Sequence, residues 1–249
     1  MMSEQFTRTS AILGEEAMTR LQNARVAVFG VGGVGGYVCE ALVRSGVGTL
    51  DVFDRDDVSV TNLNRQIIAL HSTVGQDKVS VIAARMRDIN PEVVINEHKM
   101  FYLPENADDI DLTVYDFVVD AVDTVAAKIE LAVRCERLGV PLIAAMGAGN
   151  KLDPSKLLIS DIYKTSVCPL ARAMRTTLRK KGVKHLAVAY STEEPVRPLA
   201  PIDQEDPTAT RRKDVPGSAA FVPSAMGLLI ASYVVRKLAI PNSEFRIPN

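Results

Sequence analysis

No C-x-x-C pair occurs anywhere in this 249-residue chain, and its three cysteines, Cys39, Cys135 and Cys168, stand far apart. That spacing removes the usual structural zinc ribbon, offers no disulfide framework and fits a reducing cytoplasm. The stretch Met1 to Arg20 is polar and charged and lacks the apolar core of a signal peptide, so nothing in it directs export. A surplus of one charge is missing too. With 29 basic and 30 acidic residues the formal net charge is −1, which excludes a molecule that grips nucleic acid by bulk charge but leaves local patches open. No internal repeat is present. The one long apolar stretch, Ala219 to Ile240, is interrupted by Pro223, Ser224 and Ser232 and closed by Arg236-Lys237. It is too short for a comfortable span and reads as a packed core helix starting near Pro223, with no obligate membrane insertion and peripheral membrane association left open.

What is present is the material of an α/β fold. At 47% hydrophobic residues the chain can bury a full core. Short β-rich runs alternate with segments of helical spacing. Arg25 to Phe29 is predicted as a strand entering a glycine loop, Val34 to Ser45 as a helix, and Thr49 to Phe53 as a strand ending at Asp54. Val79 to Asn90 reads as a helix stopped by Pro91, followed by strands near Val93 to Glu97 and Tyr115 to Asp120. Thr124 is placed as the cap of a helix through Leu138, before a strand at Pro141 to Ala145. Past Asn150 the pattern loosens. Lys156 to Tyr163 and Ala187 to Ser191 read as strands and Leu170 to Lys181 as a basic helix, while Thr192 to Ser218, with five prolines, reads as a loop or mobile crossing segment. The expected product is a Rossmann-like, mostly parallel sheet with ligands at the carboxyl ends of its strands.

The residues that carry chemistry cluster in the first half. Gly30-Val31-Gly32-Gly33-Val34-Gly35 lets the backbone turn sharply after the first strand, so that N–H groups and a helix N-terminus face an anion. Asp54, 19 positions after Gly35 at a strand end, suits the two ribose hydroxyls of any dinucleotide or nucleotide. Arg65 and Lys78 discriminate. Two fixed cations fit the charge of a triphosphate and of departing pyrophosphate better than they fit a nicotinamide cofactor. Lys78 stands where a helix dipole disfavours a cation, a misplacement that points to a ligand rather than to a solvated surface. Asp123, one turn past Asp120, is placed to hold magnesium against phosphate oxygens, while Asp120 either joins it or orients the loop. Asn62 and Gln66 offer amide groups to nucleotide or phosphate, though such side chains are as often turn formers.

The series Gly30-x-Gly32-Gly33-x-Gly35, Asp54-x-Asp56, Asn62-x-x-Arg65-Gln66, Gly75-Gln76-x-Lys78 and Asp120-x-x-Asp123 resembles the ThiF/MoeB-type E1-like adenylating enzymes. The resemblance implies that these residues bind ATP: Asp54 the ribose, Asn62, Arg65 and Lys78 the phosphates, and Asp123 the Mg2+. It also matches Arg8 to an arginine that reaches into a neighbouring subunit's site, which implies a homodimer. The downstream stretches Met146-Gly147-Ala148-Gly149-Asn150-Lys151-Leu152-Asp153-Pro154, Asp161-Ile162-x-Lys164-Thr165, Pro169-Leu170-Ala171, Ser191-Thr192-Glu193 and Phe221-Val222-Pro223-Ser224 resemble the tRNA threonylcarbamoyladenosine dehydratases of that superfamily. What this implies is ATP-dependent cyclisation of the threonylcarbamoyl group on adenosine 37 of tRNA. It also implies one E1-like domain over 1–249, with a nucleotide-binding core at about 24–150 and a substrate-side and dimer region at about 151–240. A sulfur-carrier or cysteine desulfurase partner stays open.

A tRNA needs a surface, and none of the residues from Ile162 to Thr192 is acidic. Lys164, Arg172, Arg175, Arg179, Lys180, Lys181 and Lys184 make that run strongly basic, and with Arg211, Arg212 and Lys213 it is expected to track phosphates beside the nucleotide pocket. The bland reading is a solvated helix face. Cys168, amid those basic residues, is the one candidate thiol, and intramolecular ring closure makes it dispensable. Two other readings stay open: an activator of a small protein's C-terminal carboxylate, disfavoured by the missing zinc cysteines, and a nicotinamide oxidoreductase, supported by little beyond the glycine loop.

Overall fold

The computed structural model describes residues 3–199 and 216–240. Seven strands form one sheet in the order β3-β2-β1-β4-β5-β7-β6: β1 (Arg25–Phe29), β2 (Thr49–Phe53), β3 (Val94–His98), β4 (Phe117–Asp120), β5 (Leu142–Ala145), β6 (Leu157–Asp161) and β7 (Ala187–Ser191). All neighbours are parallel except β6 and β7. The helices are α1 (Thr7–Leu13), α2 (Glu15–Asn23), α3 (Gly35–Arg44), α4 (Lys78–Ile89), α5 (Val125–Leu138), α6 (Pro169–Lys180) and α7 (Phe221–Ala239).

The central strands are apolar on both faces because helices cover both. Along β1, Val26 and Val28 join a cluster with Leu42 of α3, Ile82 of α4 and Ile230 of α7. Ala27 and Phe29 point the other way, against Leu131 and Cys135 of α5. The period-two alternation of a strand therefore serves two cores rather than a core and a solvent face. Farther along the sheet α6 buries Ala171, Met174 and Leu178, three residues at helical spacing, beneath a polar outer face.

The stretch read as a core helix is α7, which begins at Phe221 and packs on α3. Among the described residues it is the one helix long and apolar enough to cross a membrane, and half of its most apolar window is buried inside the protein. Gly227 makes this packing possible: a Cβ there would lie 2.5 Å from the Val34 carbonyl oxygen. Fully burying side chains such as Met226 and Ile230 stabilises this arrangement by roughly 1.5–3 kcal/mol each.

Differences from expectation have local causes. The polar N-terminal stretch forms α1 and α2, anchored by buried Phe6, which packs with Met18 around Gly46. Its charges decorate two short amphipathic turns and hide the few apolar anchors. β6 ends at Asp161 rather than Tyr163, because the Asp161 carboxylate accepts the Tyr163 N–H at 2.8 Å and starts a 3-10 turn. Thr124 stands at the N-cap of α5 without a side-chain capping bond; its hydroxyl donates to Asp123 at 3.4 Å instead.

Candidate active site

The strand order turns back on itself between β1 and β4, and the loops after both strands bound a cleft of about 760 Å³ at the carboxyl end of the sheet. The glycine loop is pressed against its neighbours. Gly30 has φ of +86°, and a Cβ on it would stand 2.7 Å from the Ala121 carbonyl oxygen. A Cβ on Gly35, the first residue of α3, would fall 1.8 Å from the Gly30 carbonyl oxygen. Val31 N–H donates to Asp54 Oδ2 and Asp56 N–H to Asp54 Oδ1, both at 2.9 Å. Asp54 thus ties the glycine loop to the end of β2, and each of its oxygens keeps a further lone pair for a ligand hydroxyl.

The cations stand across the cleft. Lys78, the first residue of α4, is buried, with Nζ 2.9 Å from Asp56 and 3.9 Å from Asp54. Arg65 is half-buried; its guanidinium donates to the Thr61 carbonyl at 2.8 Å and to Asn64 Oδ1 at 2.9 Å. Asn62 acts partly as a turn former, its side-chain oxygen accepting the Ser59 N–H at 3.1 Å. Gln66 is buried beside it.

Gly30, Gly32, Gly33, Asp54, Asp56, Asn62, Arg65, Gln66, Lys78 and Asp123 all line this one cleft. Gly35 and Asp120 do not. Gly35 acts one layer below, by allowing the loop to close on Gly30. Asp120 is fully buried, its Oδ1 2.9 Å from Lys128 Nζ and 3.2 Å from the Val122 nitrogen, which donates to it. Burial pushes its carboxyl above the ordinary range while Lys128 pulls the other way. Of its two sequence readings, nucleotide contact and loop orientation, the geometry has the second. Arg8 is exposed on α1 and lines no part of the cleft of its own chain.

Three buried side-chain polar atoms lack a partner among the described residues: Gln66 Oε1, Tyr102 Oη and Asp120 Oδ2. The first two belong to cleft residues, where orphaned polar groups await a ligand or water. No three His, Cys, Asp or Glu side chains converge into a ready cage among the described residues. The Asp123 carboxylate on the cleft wall, apart from the Lys78 pairs of Asp54 and Asp56, instead suits Mg2+, which takes few protein ligands and completes its shell with phosphate and water.

Sequence reasoning missed the floor of the cleft. Phe29 stacks on Phe53 at 4.2 Å, Phe53 stacks on His98 at 4.2 Å, and Tyr102 meets Phe29 edge-on at 4.9 Å. Behind them the buried Asp51 accepts from Arg25 twice at 2.8 Å and from Asn96 at 3.0 Å, and it bonds His98 at 3.0 Å. Burial opposes ionisation of Asp51, but these bonds outweigh it and hold the carboxyl below its usual range. Lys128 was missed as well. It fills the first place of the apolar stripe Leu131, Ala132 and Cys135, and a cation on a buried stripe is a signal visible in the sequence. The far wall comes from distant segments: Gly149 packs on Pro216, and Asn150 exchanges two 2.7 Å bonds with Gly217.

The basic run is elsewhere. Lys164 and Lys184 line a groove with Asp116, Pro141 and Ala187, at the amino ends of β4, β5 and β7, and Tyr163 in that groove carries the Arg179 guanidinium 5.1 Å above its ring. These three cations stand at the end of the sheet opposite the cleft, not beside it. The antiparallel β6 ends at the amino ends of its parallel neighbours, so the segment leading into α6 starts there. Arg172, Arg179, Lys180, Lys181 and Lys184 are exposed, whereas Arg175 turns inward to Thr165. Arg211, Arg212 and Lys213 lie outside the described residues. Cys168 is buried in the core under α6 and lines neither the cleft nor that groove.

Fold and cleft define a Rossmann-like α/β protein with an open cleft at the switch point of the sheet. The chain belongs to the ThiF family, which it matches over residues 3–246. The tRNA threonylcarbamoyladenosine dehydratase of Bacillus subtilis (strain 168) is 45% identical over 242 residues, 95% of each chain. Crystal structures of E. coli tRNA N6-threonylcarbamoyladenosine dehydratase, TcdA, in complex with AMP and with ATP have TM-scores of 0.85 and 0.83 to this chain. They share 34% and 33% sequence identity with it, each over 96% of both chains.

Proposed function

We propose that this chain is an ATP-dependent dehydratase that adenylates the carboxylate of N6-threonylcarbamoyladenosine at position 37 of tRNA and promotes its cyclisation. The observation that carries the reading is similarity to a curated enzyme of that name across 95% of both chains. Similarity to structures that hold AMP and ATP supports ATP use. A full-length match of this kind favours tRNA over a small protein's C-terminus.

The chemistry follows from a poor leaving group. A carboxylate cannot expel oxide, so its oxygen attacks the α-phosphorus of ATP, the bond to the β-phosphate oxygen breaks, and pyrophosphate leaves. AMP is then the leaving group. The carbamoyl group on the same threonyl unit attacks the activated carbonyl, loses a proton, and expels AMP, so the nucleoside loses the elements of water. Tethering gives this closure the large effective concentration of an intramolecular nucleophile, and no enzyme thiol is needed.

In this reading Asp54 and Asp56 hold the ribose side of the nucleotide, the N–H groups of Gly32 and Gly33 meet its phosphates, and Asn62, Arg65, Gln66 and Lys78 line the phosphate path. Asp123 holds Mg2+, which supplies charge neutralisation at the phosphates. Lys78 and Arg65, now paired with Asp56 and with the Thr61 carbonyl, turn to the charge that grows at the α-phosphate. Arg8 serves the site of a second subunit in a homodimer. Residues 24–150 bind nucleotide and 151–240 supply the substrate side and dimer contact of one E1-like domain. We place the protein in the cytoplasm.

Incubation with ATP, magnesium and threonylcarbamoylated tRNA is expected to release AMP and to remove water from the modified nucleoside. AMP formation with a carrier protein but not with tRNA would reject the reading. The exposed cations of α6 supply the second test. A tRNA arm outspans a five-residue strand, about 17 Å, so its phosphates can rest on the α6 flank while the anticodon reaches the cleft. Reversing Arg179, Lys180 and Lys181 to glutamate is expected to weaken tRNA binding and to reduce the slope of log affinity against log salt by roughly 0.7–0.9 for each phosphate no longer neutralised. ATP affinity stays unchanged, because these residues lie at the far edge of the sheet. An unaltered tRNA salt titration would remove α6 from the interface.

A further inference from the structure

We infer that the buried ion pair of Lys128 and Asp120 is a positioning device that sets how Asp123 faces the phosphates and Mg2+. The inference rests on the reading of Asp123 as the magnesium ligand. Both side chains are fully buried. Asp120 Oδ1 accepts the Val122 N–H at 3.2 Å, and Lys128 Nζ, 2.9 Å from that same oxygen, donates to the Val122 carbonyl at 3.1 Å. One ion pair thus holds both polar groups of the residue just before Asp123. From the other side the Ala121 N–H donates to the Phe29 carbonyl at 2.8 Å, and the Ala121 carbonyl lies where a Gly30 Cβ would collide. The segment from Ala121 to Asp123 is therefore clamped between the glycine loop and a charge pair. Asp123 itself lines the cleft and has one long bond, from Thr124 at 3.4 Å. Its aim depends on the backbone beneath it.

Stability alone is a weak reason for this pair. Two charges fully out of water are commonly no better than a well-packed apolar pair of the same volume. Lys128 also stands in the first turns of α5, near a helix end that disfavours a cation, and its side chain reaches back toward that end to meet Val122. Asp120 Oδ2 has no partner among the described residues, so the pair is not optimised as a hydrogen-bond network either. What the arrangement does achieve is a fixed peptide next to the residue that must meet a metal. Groups that orient a metal ligand from behind commonly contribute 10–100-fold to metal affinity or activity.

The test uses the full chain with Asp120→Asn and Lys128→Met combined, which leaves no lone buried charge, and Asp123→Asn in parallel. Calorimetry measures ATP affinity with and without magnesium, and hydrogen exchange follows the Val122 amide. The double variant is expected to bind ATP without magnesium about as the parent does, to lose roughly tenfold or more of the magnesium-dependent gain in affinity, and to exchange the Val122 amide faster. Asp120→Asn combined with Lys128→Gln also leaves no lone buried charge while keeping a side-chain acceptor and donor for Val122 and, should the first double variant not fold, is expected to show the same loss in smaller measure. A folded variant with parental magnesium dependence, beside an Asp123→Asn variant that has lost it, overturns the positioning role alone. Parental magnesium dependence in Asp123→Asn overturns the magnesium assignment, and the inference with it.

Discussion

Lys78→Met is expected to lower the rate of AMP release about a thousandfold, or about 4 kcal/mol of barrier, while the protein stays folded. The two parts of that expectation have separate causes. Methionine fills the space of the lysine stem, and the first turn of α4 loses a cation that its dipole disfavours, so the stability change should stay within about 1 kcal/mol. Nζ 2.9 Å from a carboxylate that is half in water adds little to hold the fold. In the adenylation step Arg65 is only a partial substitute for this ammonium, because among the described residues Lys78 is the buried cation of the cleft and Arg65 is half in water. Single-turnover AMP release and a thermal melt check both halves. A kcat within tenfold of the parent, with only the ATP KM raised, would show that Lys78 binds ground-state nucleotide and has no special hold on the transition state.

Gly35→Ala acts through backbone rather than charge. Its Cβ would sit 1.8 Å from the Gly30 carbonyl oxygen, a contact that no rotamer relieves because both sides are main chain. Either α3 or the Gly30 turn must move, and Gly30 is itself wedged against Ala121. Overpacking commonly costs about 1–3 kcal/mol, and a fixed backbone clash belongs at or above the upper end. For a chain of this size that is a fall in Tm of roughly 6–12 °C, and calorimetry is expected to find no ATP binding. Gly32→Ala is the control. A Cβ there meets nothing nearer than Gln66 Nε2 at 3.7 Å, so its Tm should barely change. A Gly35→Ala protein that melts and binds ATP like the parent would mean that the loop is not held as described.

Much of the cleft was legible because its chemistry sits on short local motifs. The strand, glycine loop and helix of β1 to α3, the acid closing β2 and the lysine opening α4 are each fixed by a few neighbouring residues, and the parallel sheet then gathers the strand ends. Asp120 and Asp123 were legible as a pair but not in their division of labour. Three residues apart after a strand, one points into the core and the other into the cleft, and only burial by Lys128 of α5 decides which.

By itself the sequence determined the class of chemistry. Its period-two apolar runs, its glycines and two cations, Arg65 and the misplaced Lys78, suit a Rossmann-like sheet with a triphosphate at the switch point, since those features depend on chain-local geometry and charge. Tertiary structure decided what depends on chain direction and long-range contact: that Lys164, Arg179 and Lys184 stand at the amino ends of the strands, that the aromatic floor is built from three separate strand ends, and that Asp120 serves the loop from below. A local pattern states which faces are apolar. It does not state which of them will meet.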